Sequence, residues 1–185
     1  MMRVLAISGS LRAASTNSAL LRAAAAAAPD GVTVTVFTGL DGRGVGSLPL
    51  FNPDEDGDPP PPAVKDLRDS LVAADAVVIA CPEYAHGVPG ALKNALDWVV
   101  ASSEMVDKPV ALMHASPRST YAREALTEIL TVISARLIDD ASITIPLMGK
   151  TPEDAAATLA RAESVAALRN ALTAIETAVT ASAAR

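Results

Sequence analysis

The sequence is poor in cysteine, histidine and aromatic residues. Its 185 residues include one cysteine, Cys81, and two histidines, His86 and His114. A single cysteine excludes an internal disulfide framework and a cysteine-cluster zinc site, and two histidines argue against a His-rich metal site. Aromatic residues make up only 3% of the chain. We therefore expect a hydrophobic core built mainly from Ala, Val, Leu and Ile, and no metal site.

The chain also lacks an excess of positive charge and long apolar runs. Lysine and arginine number 15 against 21 acidic residues, which gives a net charge of −6. This balance argues against nucleic acid as a partner, because affinity for phosphate backbones comes mainly from clustered Lys and Arg. No run approaches the roughly 18 bulky apolar residues of a membrane span. The first apolar run, about five residues long, is too short for a signal-peptide core. We expect a cytoplasmic protein with no membrane partner.

What the sequence does contain is a regular alternation of two hydrophobic patterns, which suits a single α/β domain over residues 1–185. Short runs rich in Val and Ile predict five strands, at 4–7, 32–37, 76–80, 110–113 and 142–145. Longer segments with apolar residues at helical spacing predict five helices, at 18–28, 62–74, 89–101, 120–134 and 152–182. This order predicts a flavodoxin-like three-layer α/β/α sandwich with a five-stranded parallel sheet of strand order 2-1-3-4-5.

Two segments allow further predictions, one about the position of a strand and one about a long connection. The run at 32–37 alternates Val with Thr, which is typical of an edge strand with one partly wet face. Residues 39–62 are rich in Gly, Pro and Asp. A connection this long in a compact domain is usually a lid or a binding loop, or is simply mobile.

Ligands of such sheets bind at the carboxyl ends of the strands, where the winding reverses between strands 1 and 3. The loop at 8–18 should lie there, and it carries five hydroxyls, one amide and the guanidinium of Arg12. Because it leads into a helix N-terminus, it favours a phosphate monoester. The chain has neither GxGxxG nor GxxxxGK[ST], which disfavours dinucleotide and nucleoside triphosphate sites. The alternative is that these polar residues only cap the helix.

The loop at 81–90 should lie beside the first loop. It contains two prolines and two glycines, which make a stiff turn whose backbone can lie against a flat ring. Tyr84 can pack on an aromatic ligand. The alternative is an ordinary strand-to-helix connection with Tyr84 in routine packing. Cys81 and His114 each end a predicted strand. We expect Cys81 to be a small packing residue, and His114 to be packed or to act as a cap.

Together the two loops resemble those of a known family. The segment SGSLRAASTNS resembles the GSxRxxSxN phosphate loop of the NAD(P)H-dependent FMN reductases. The segment PEYAHGVPGALKNALDW resembles their second signature, PEYNxSxPGxLKNAxDW, and the resemblance extends over residues 3–146. That family also includes quinone, azo-dye and chromate reductases. The resemblance implies a flavodoxin-like fold, an FMN cofactor and NADPH or NADH as co-substrate.

The resemblance also implies roles for individual residues, none of them catalytic. The FMN phosphate would be held by Ser10, Arg12, Ser15, Thr16, Asn17 and Ser18. The isoalloxazine would be lined, largely by backbone groups, by Pro82, Glu83, Tyr84, Ala85, His86 and Gly87. Ser116, after the fourth predicted strand, would reach the ribityl chain or the ring edge. The chain departs from the family pattern at Ala85 and His86-Gly87, where the family commonly has Asn and x-Ser.

The function implied is an FMN-dependent NAD(P)H oxidoreductase that passes electrons to a small-molecule acceptor such as a flavin, a quinone or an azo compound. A ping-pong mechanism is expected, because a short chain with one switch point leaves both substrates the same exposed ring face. We also expect a homodimer or a tetramer, in which a neighbouring subunit walls the flavin. Two alternatives stay open: a non-enzymatic flavodoxin-like electron carrier, and a regulatory module that keeps the fold without flavin.

Overall fold

The structure, a computed structural model, describes residues 1–183. Its strands are β1 (Met2–Ser8), β2 (Val32–Val36), β3 (Ala76–Ala80), β4 (Pro109–His114), β5 (Arg136–Leu137) and β6 (Ile143–Thr144). Its helices are α1 (Thr16–Ala26), α2 (Pro62–Ala73), α3 (Gly90–Asp97), α4 (Thr120–Val132), α5 (Pro152–Leu159) and α6 (Ala162–Ala183). The strands pair in parallel in the order β2-β1-β3-β4-β5, and β6 also pairs with β4. The predicted order 2-1-3-4-5 is confirmed.

Helices cover the sheet on both faces, which confirms the three-layer flavodoxin-like sandwich. On one face α1 and α6 pack leucines such as Leu20, Leu168 and Leu172 against β1, β3 and β4. On the other face α2, α3 and α4 contribute Leu67, Leu92 and Leu126 among others. All five residues of β3 are buried, as expected for a parallel strand covered on both sides. Among the helices of residues 1–183, none combines the length and apolarity that a bilayer crossing demands.

Strand β2 lies at the edge of the sheet, as its Val/Thr alternation predicts. Val32 is buried, whereas Thr33 and Thr35 are exposed. Only one face of this strand is therefore covered by helices.

At the opposite edge of the sheet, the structure differs from the predicted single strand at 142–145. Two short strands, β5 and β6, pair with the two halves of β4, and a 3-10 turn at Asp139–Ala141 separates them. The side chain of Ser142 bridges the gap, because its Oγ accepts from Leu112 N–H at 3.1 Å and donates to Ile138 O at 3.2 Å. A hydroxyl thus replaces a backbone partner, so the ladder continues across the interruption.

The single helix predicted at 152–182 is wrong, because the chain turns at residues 160–161 between α5 and α6. The buried hydroxyl of Ser164 donates to Thr158 O at 2.8 Å, which satisfies a carbonyl at the end of α5. Residues 155 and 159 of α5 belong to the core that α1 also lines. The turn lets α5 pack there while α6 follows the sheet.

Residues 37–61 connect β2 to α2 and are held against neighbouring helices. Asn94 and Trp98 of the α3 segment bind the backbone at Pro49 and Phe51. Arg68 of α2 pairs with Asp56 at 2.9 Å, and both side chains are largely buried. The Arg68 Nε also donates to Trp98 O at 3.2 Å, just past Asp97, where α3 ends short of the predicted residue 101. The connection is therefore fixed to the side of the sheet covered by α2 and α3.

Candidate functional site

The loops after β1 and β3 leave the sheet side by side. Ser8 and Ala80 are paired across these strands, and Gly9 N–H donates to Ala80 O at 2.9 Å. A Cβ on Gly9 would lie 2.9 Å from Leu92 Cδ2 and 3.3 Å from Pro82 Cδ. Glycine thus permits the close approach of the two loops. This is the switch point at which the sequence predicts a ligand.

A cleft of about 560 Å³ lies at this point, a size typical of small-molecule sites. The first loop and the start of α1 line it with Ser10, Arg12, Ala14, Ser15, Thr16 and Asn17. The loop after β3 contributes Pro82, Glu83 and Tyr84, and the loop after β4 contributes Ala115, Ser116, Arg118 and Ser119. The segment after β6 completes the wall with Met148, Gly149, Lys150 and Pro152.

The N-terminus of α1 opens into the cleft. Ser15 is its N-cap, with Oγ accepting from Ser18 N–H at 3.2 Å. Within residues 1–183, the N–H groups of Thr16 and Asn17 have no acceptor. Two free N–H groups and the positive end of the helix dipole favour a bound anion.

Cations outnumber carboxylates in the cleft, although the whole chain is acidic. Arg12, Arg118 and Lys150 line it with Glu83 as the single carboxylate among the lining residues. Across residues 1–183, the guanidinium of Arg12 has neither an ion pair nor a hydrogen bond, so it is free to bind a ligand. A guanidinium presents several donors in a fork that matches phosphate oxygens.

The amide of Asn17 gives an independent sign of a polar ligand. This side chain is 7% exposed, and its Oδ1 has no hydrogen-bond partner among residues 1–183. An unpaired buried polar atom costs free energy that a ligand recovers by pairing with it. A polyol phosphate offers hydroxyl donors and phosphate acceptors, so the amide fits FMN in either orientation.

Four of the residues expected to bind FMN do not line the cleft. Ser18 shares a hydrogen bond of 2.9 Å between its Oγ and that of Ser8. Ala85, His86 and Gly87 lie in a tight turn closed by Tyr84 N–H to Gly87 O at 3.2 Å and by the reverse bond at 3.0 Å. Their contact with a flavin stays a prediction. The other nine, Ser10, Arg12, Ser15, Thr16, Asn17, Pro82, Glu83, Tyr84 and Ser116, share this one cleft.

The family model for NADPH-dependent FMN reductases matches residues 2–148. The chain belongs to this family. Over 116 residues it is 40% identical to an NAD(P)H-dependent FMN reductase of Pseudomonas aeruginosa, covering 62% of this chain and 60% of that protein. Over 124 residues it is 41% identical to a probable NADPH:quinone oxidoreductase of Oryza sativa, covering 66% and 60%. The chain thus spans 60% of the length of each relative.

Solved structures of related flavoenzymes have the same fold as this family member. The flavoenzyme NAD(P)H:(acceptor) oxidoreductase FerB of Paracoccus denitrificans superposes with a TM-score of 0.71 at 25% identity, covering 96% of this chain and 98% of that one. An NADH:FMN oxidoreductase in its apo form gives a TM-score of 0.66 at 22% identity, covering 98% and 90%. At that identity the second likeness shows the fold alone.

Sequence reasoning missed two cations of the cleft, Arg118 and Lys150. Lys150 follows β6, and Arg118 follows β4. The rule that ligands gather at the carboxyl ends of parallel strands indicates these loops as well as the first two. The signal was therefore present in the strand order, although neither loop carries a distinctive phosphate motif.

Two ionisable side chains at strand ends are held in their neutral forms. Burial raises the pKa of the Cys81 thiol to about 12, and the charge of Glu83 adds to the effect. Burial lowers the pKa of His114 to about 4, with a further contribution from Arg123. A neutral, buried thiol is a poor nucleophile, so Cys81 is a packing residue as expected. In the part of the chain from 1 to 183, no three His, Cys, Asp or Glu side chains group so that they could hold a metal ion.

Proposed function

We propose that this protein is an FMN-dependent NAD(P)H oxidoreductase that reduces a flavin, quinone, azo compound or similar acceptor. The observation that carries the proposal is the cleft at the β1–β3 switch point. Its lining combines the free N–H groups of α1 and the unpaired guanidinium of Arg12 with the ring of Tyr84. Family membership over residues 2–148 supports the same assignment.

Each part of the cleft then has a role toward FMN. Arg12 and the N–H groups of Thr16 and Asn17 bind the phosphate, and Ser10 and Ser15 offer hydroxyls beside it. Pro82 and Tyr84 would contact the flat ring, and Ser116 would contact the ribityl chain or the ring edge. FMN, when bound, supplies the two-electron chemistry, so the protein need only position it and control access.

The overall reaction balances without a protein acid or base. NAD(P)H loses a hydride, and the acceptor gains two electrons and two protons, one of which comes from solvent. Nicotinamide and acceptor use the same exposed ring face in turn, so the kinetics are ping-pong. Tyr84 lines the cleft and is 56% exposed, so this part of the cleft is open to flat substrates.

The ping-pong order is tested by initial rates with NADPH and with NADH across a panel of acceptors. Parallel double-reciprocal lines are expected, whereas intersecting lines would require a ternary complex. His86→Ala should change the rate by less than the 10²–10⁴-fold typical of a lost general acid or base. Near-total loss of reduction in this variant would make His86 catalytic.

The first experiment is to purify the protein, reconstitute it with FMN and follow NADPH oxidation. A yellow protein with rapid, acceptor-dependent oxidation supports the proposal. A yellow protein that oxidises neither nicotinamide favours the electron-carrier alternative. A colourless protein that takes up no added FMN contradicts flavin binding altogether.

We further propose one domain over residues 1–185 in a cytoplasmic homodimer or tetramer whose neighbouring subunit walls the flavin. The segment around α3 and the connection at 39–62 are the expected contact surfaces. They expose Val100 and Leu50, which are 54% and 84% accessible. Light scattering should therefore show an oligomer, and Leu50→Asp should weaken it. A fully active monomer at micromolar concentration contradicts this part of the proposal.

A further inference from the structure

The N-terminus of α4 lacks a cap from its own sequence. Its N-cap residue, Ser119, makes no side-chain hydrogen bond to the helix, and the first turn contains no acidic residue. The N–H of Ala122, in that first turn, instead donates to Oε2 of Glu83 at 2.9 Å. A carboxylate at a helix N-terminus is also stabilised by the helix dipole. Glu83 thus caps a helix that begins 37 residues further along the chain.

A second contact joins the same two segments. The ring of His86 stacks on that of Tyr121, with centroids 4.3 Å apart and planes inclined by 21°. Tyr121 lies in the first turn of α4, next to Ala122. The loop after β3 is therefore attached to the start of α4 both before and after the turn at Ala85.

These contacts matter because both segments form walls of the cleft. Pro82, Glu83 and Tyr84 line the cleft from the loop after β3, and Ser116 and Arg118 line it from the loop that leads into α4. Through its carboxylate, Glu83 holds the loop after β3 against the start of α4. A backbone that contacts a flat ring must be held in place before the ring binds, because ordering it afterwards costs affinity.

We infer that Glu83 is a positioning residue for the flavin ring, acting through its hydrogen bond to Ala122. The inference rests on the proposed function and adds to it a role for the Glu83 carboxylate, which holds the flavin-contacting loop in place. Because the ring wall is affected rather than the phosphate end, loss of the contact weakens binding of FMN and of riboflavin alike. Loss of Arg12 should weaken FMN alone, so the two variants are distinguishable.

The test uses Glu83→Ala and Glu83→Gln with fluorescence titrations of FMN and riboflavin on the apoprotein. Glu83→Ala should weaken both ligands by about tenfold, the equivalent of one lost charge-assisted hydrogen bond. Glu83→Gln keeps an oxygen acceptor and should stay within about threefold of wild type. Hydrogen exchange at the Ala122 amide should be faster in Glu83→Ala than in Glu83→Gln.

Thermal unfolding separates positioning from plain stability. Asp75→Ala is the matched control, because it removes another carboxylate that accepts a backbone N–H from a distant segment, that of Arg3 at 2.7 Å, at the amino end of β1 and outside the cleft lining. Unchanged flavin affinity in Glu83→Ala, with a fall in Tm like that of the control, would overturn the inference. Equal loss in Glu83→Gln would overturn it too, since the charge itself would then act on the ligand. Wild-type protein that binds neither flavin refutes the proposed function and this role together.

Discussion

The side-chain amide of Asn94 clamps the backbone near Phe51. Phe51 N–H donates to Asn94 Oδ1 at 2.7 Å, and Asn94 Nδ2 donates to Pro49 O at 2.8 Å. Trp98 adds a second donor to the same carbonyl at 2.9 Å, and its ring packs edge-on against that of Phe51 at 5.1 Å. Asn94 and Trp98 thus hold the connection between β2 and α2, and neither residue lines the cleft.

Replacing Asn94 by Ala should destabilise the protein by about 1–3 kcal/mol, because it leaves Phe51 N–H unpaired in a half-buried position. Urea unfolding measures the loss, and limited proteolysis should show faster cleavage within residues 37–61. Asn170→Ala, on the exposed face of α6, is the matched control and should change stability by less than about 0.5 kcal/mol. Equal effects of the two substitutions would show that the clamp contributes nothing.

Arg12→Ala should weaken FMN by about 1.5–3 kcal/mol, the range for a hydrogen bond to a charged group. Riboflavin lacks the phosphate, so its affinity should hardly change. Isothermal titration with both ligands measures the difference. Lys65→Ala, which removes an exposed cation of α2, should leave both affinities as they are. If Arg12→Ala weakens both ligands equally, Arg12 does not contact the phosphate.

Ala85→Asn should stabilise the protein by about 1 kcal/mol. Alanine is strained in the left-handed region of φ and ψ, whereas asparagine tolerates it. Ala85 and His86 have φ values of 49° and 57°, as in the primed turns that favour Asn-Gly. Thermal or urea unfolding checks the gain. Ala85→Val should instead destabilise, since β-branched residues fit this region worst. Stabilisation by Val would contradict the observed turn.

The buried His114 should make stability depend on pH. Its pKa is lowered from 6.5 to about 4 in the folded protein, so between these values the unfolded state binds the extra proton. Stability is then full above pH 6.5 and falls as the pH drops toward 4, by up to about 3 kcal/mol. His114→Gln removes this titration. The unfolding free energy of the wild type should therefore fall by up to about 3 kcal/mol relative to that of the variant between pH 7 and pH 4. A difference that stays constant over this range would contradict a lowered pKa of His114.

Much of this protein is determined by local sequence pattern. Four nearly continuous or alternating apolar runs were sufficient for the strands β1 to β4 and for their order. The polar loop before α1 was sufficient to predict an anion site at the switch point, where the structure has a cleft, because a parallel sheet brings the carboxyl ends of its strands together. Nine of the expected FMN-binding residues share the cleft for the same reason.

Tertiary structure decided the features that have no local pattern. The fifth strand is divided, and the hydroxyl of Ser142 supplies the bond to Leu112 N–H at the interruption. A two-residue strand leaves no periodic signal in the sequence. The bend between α5 and α6 depends on a buried hydroxyl, that of Ser164, and not on Gly or Pro. Glu83 caps α4 by binding Ala122, 39 residues further along the chain, and Lys150 enters the cleft from the far edge of the sheet. Such contacts form between segments distant in sequence, so only the packed chain determines them.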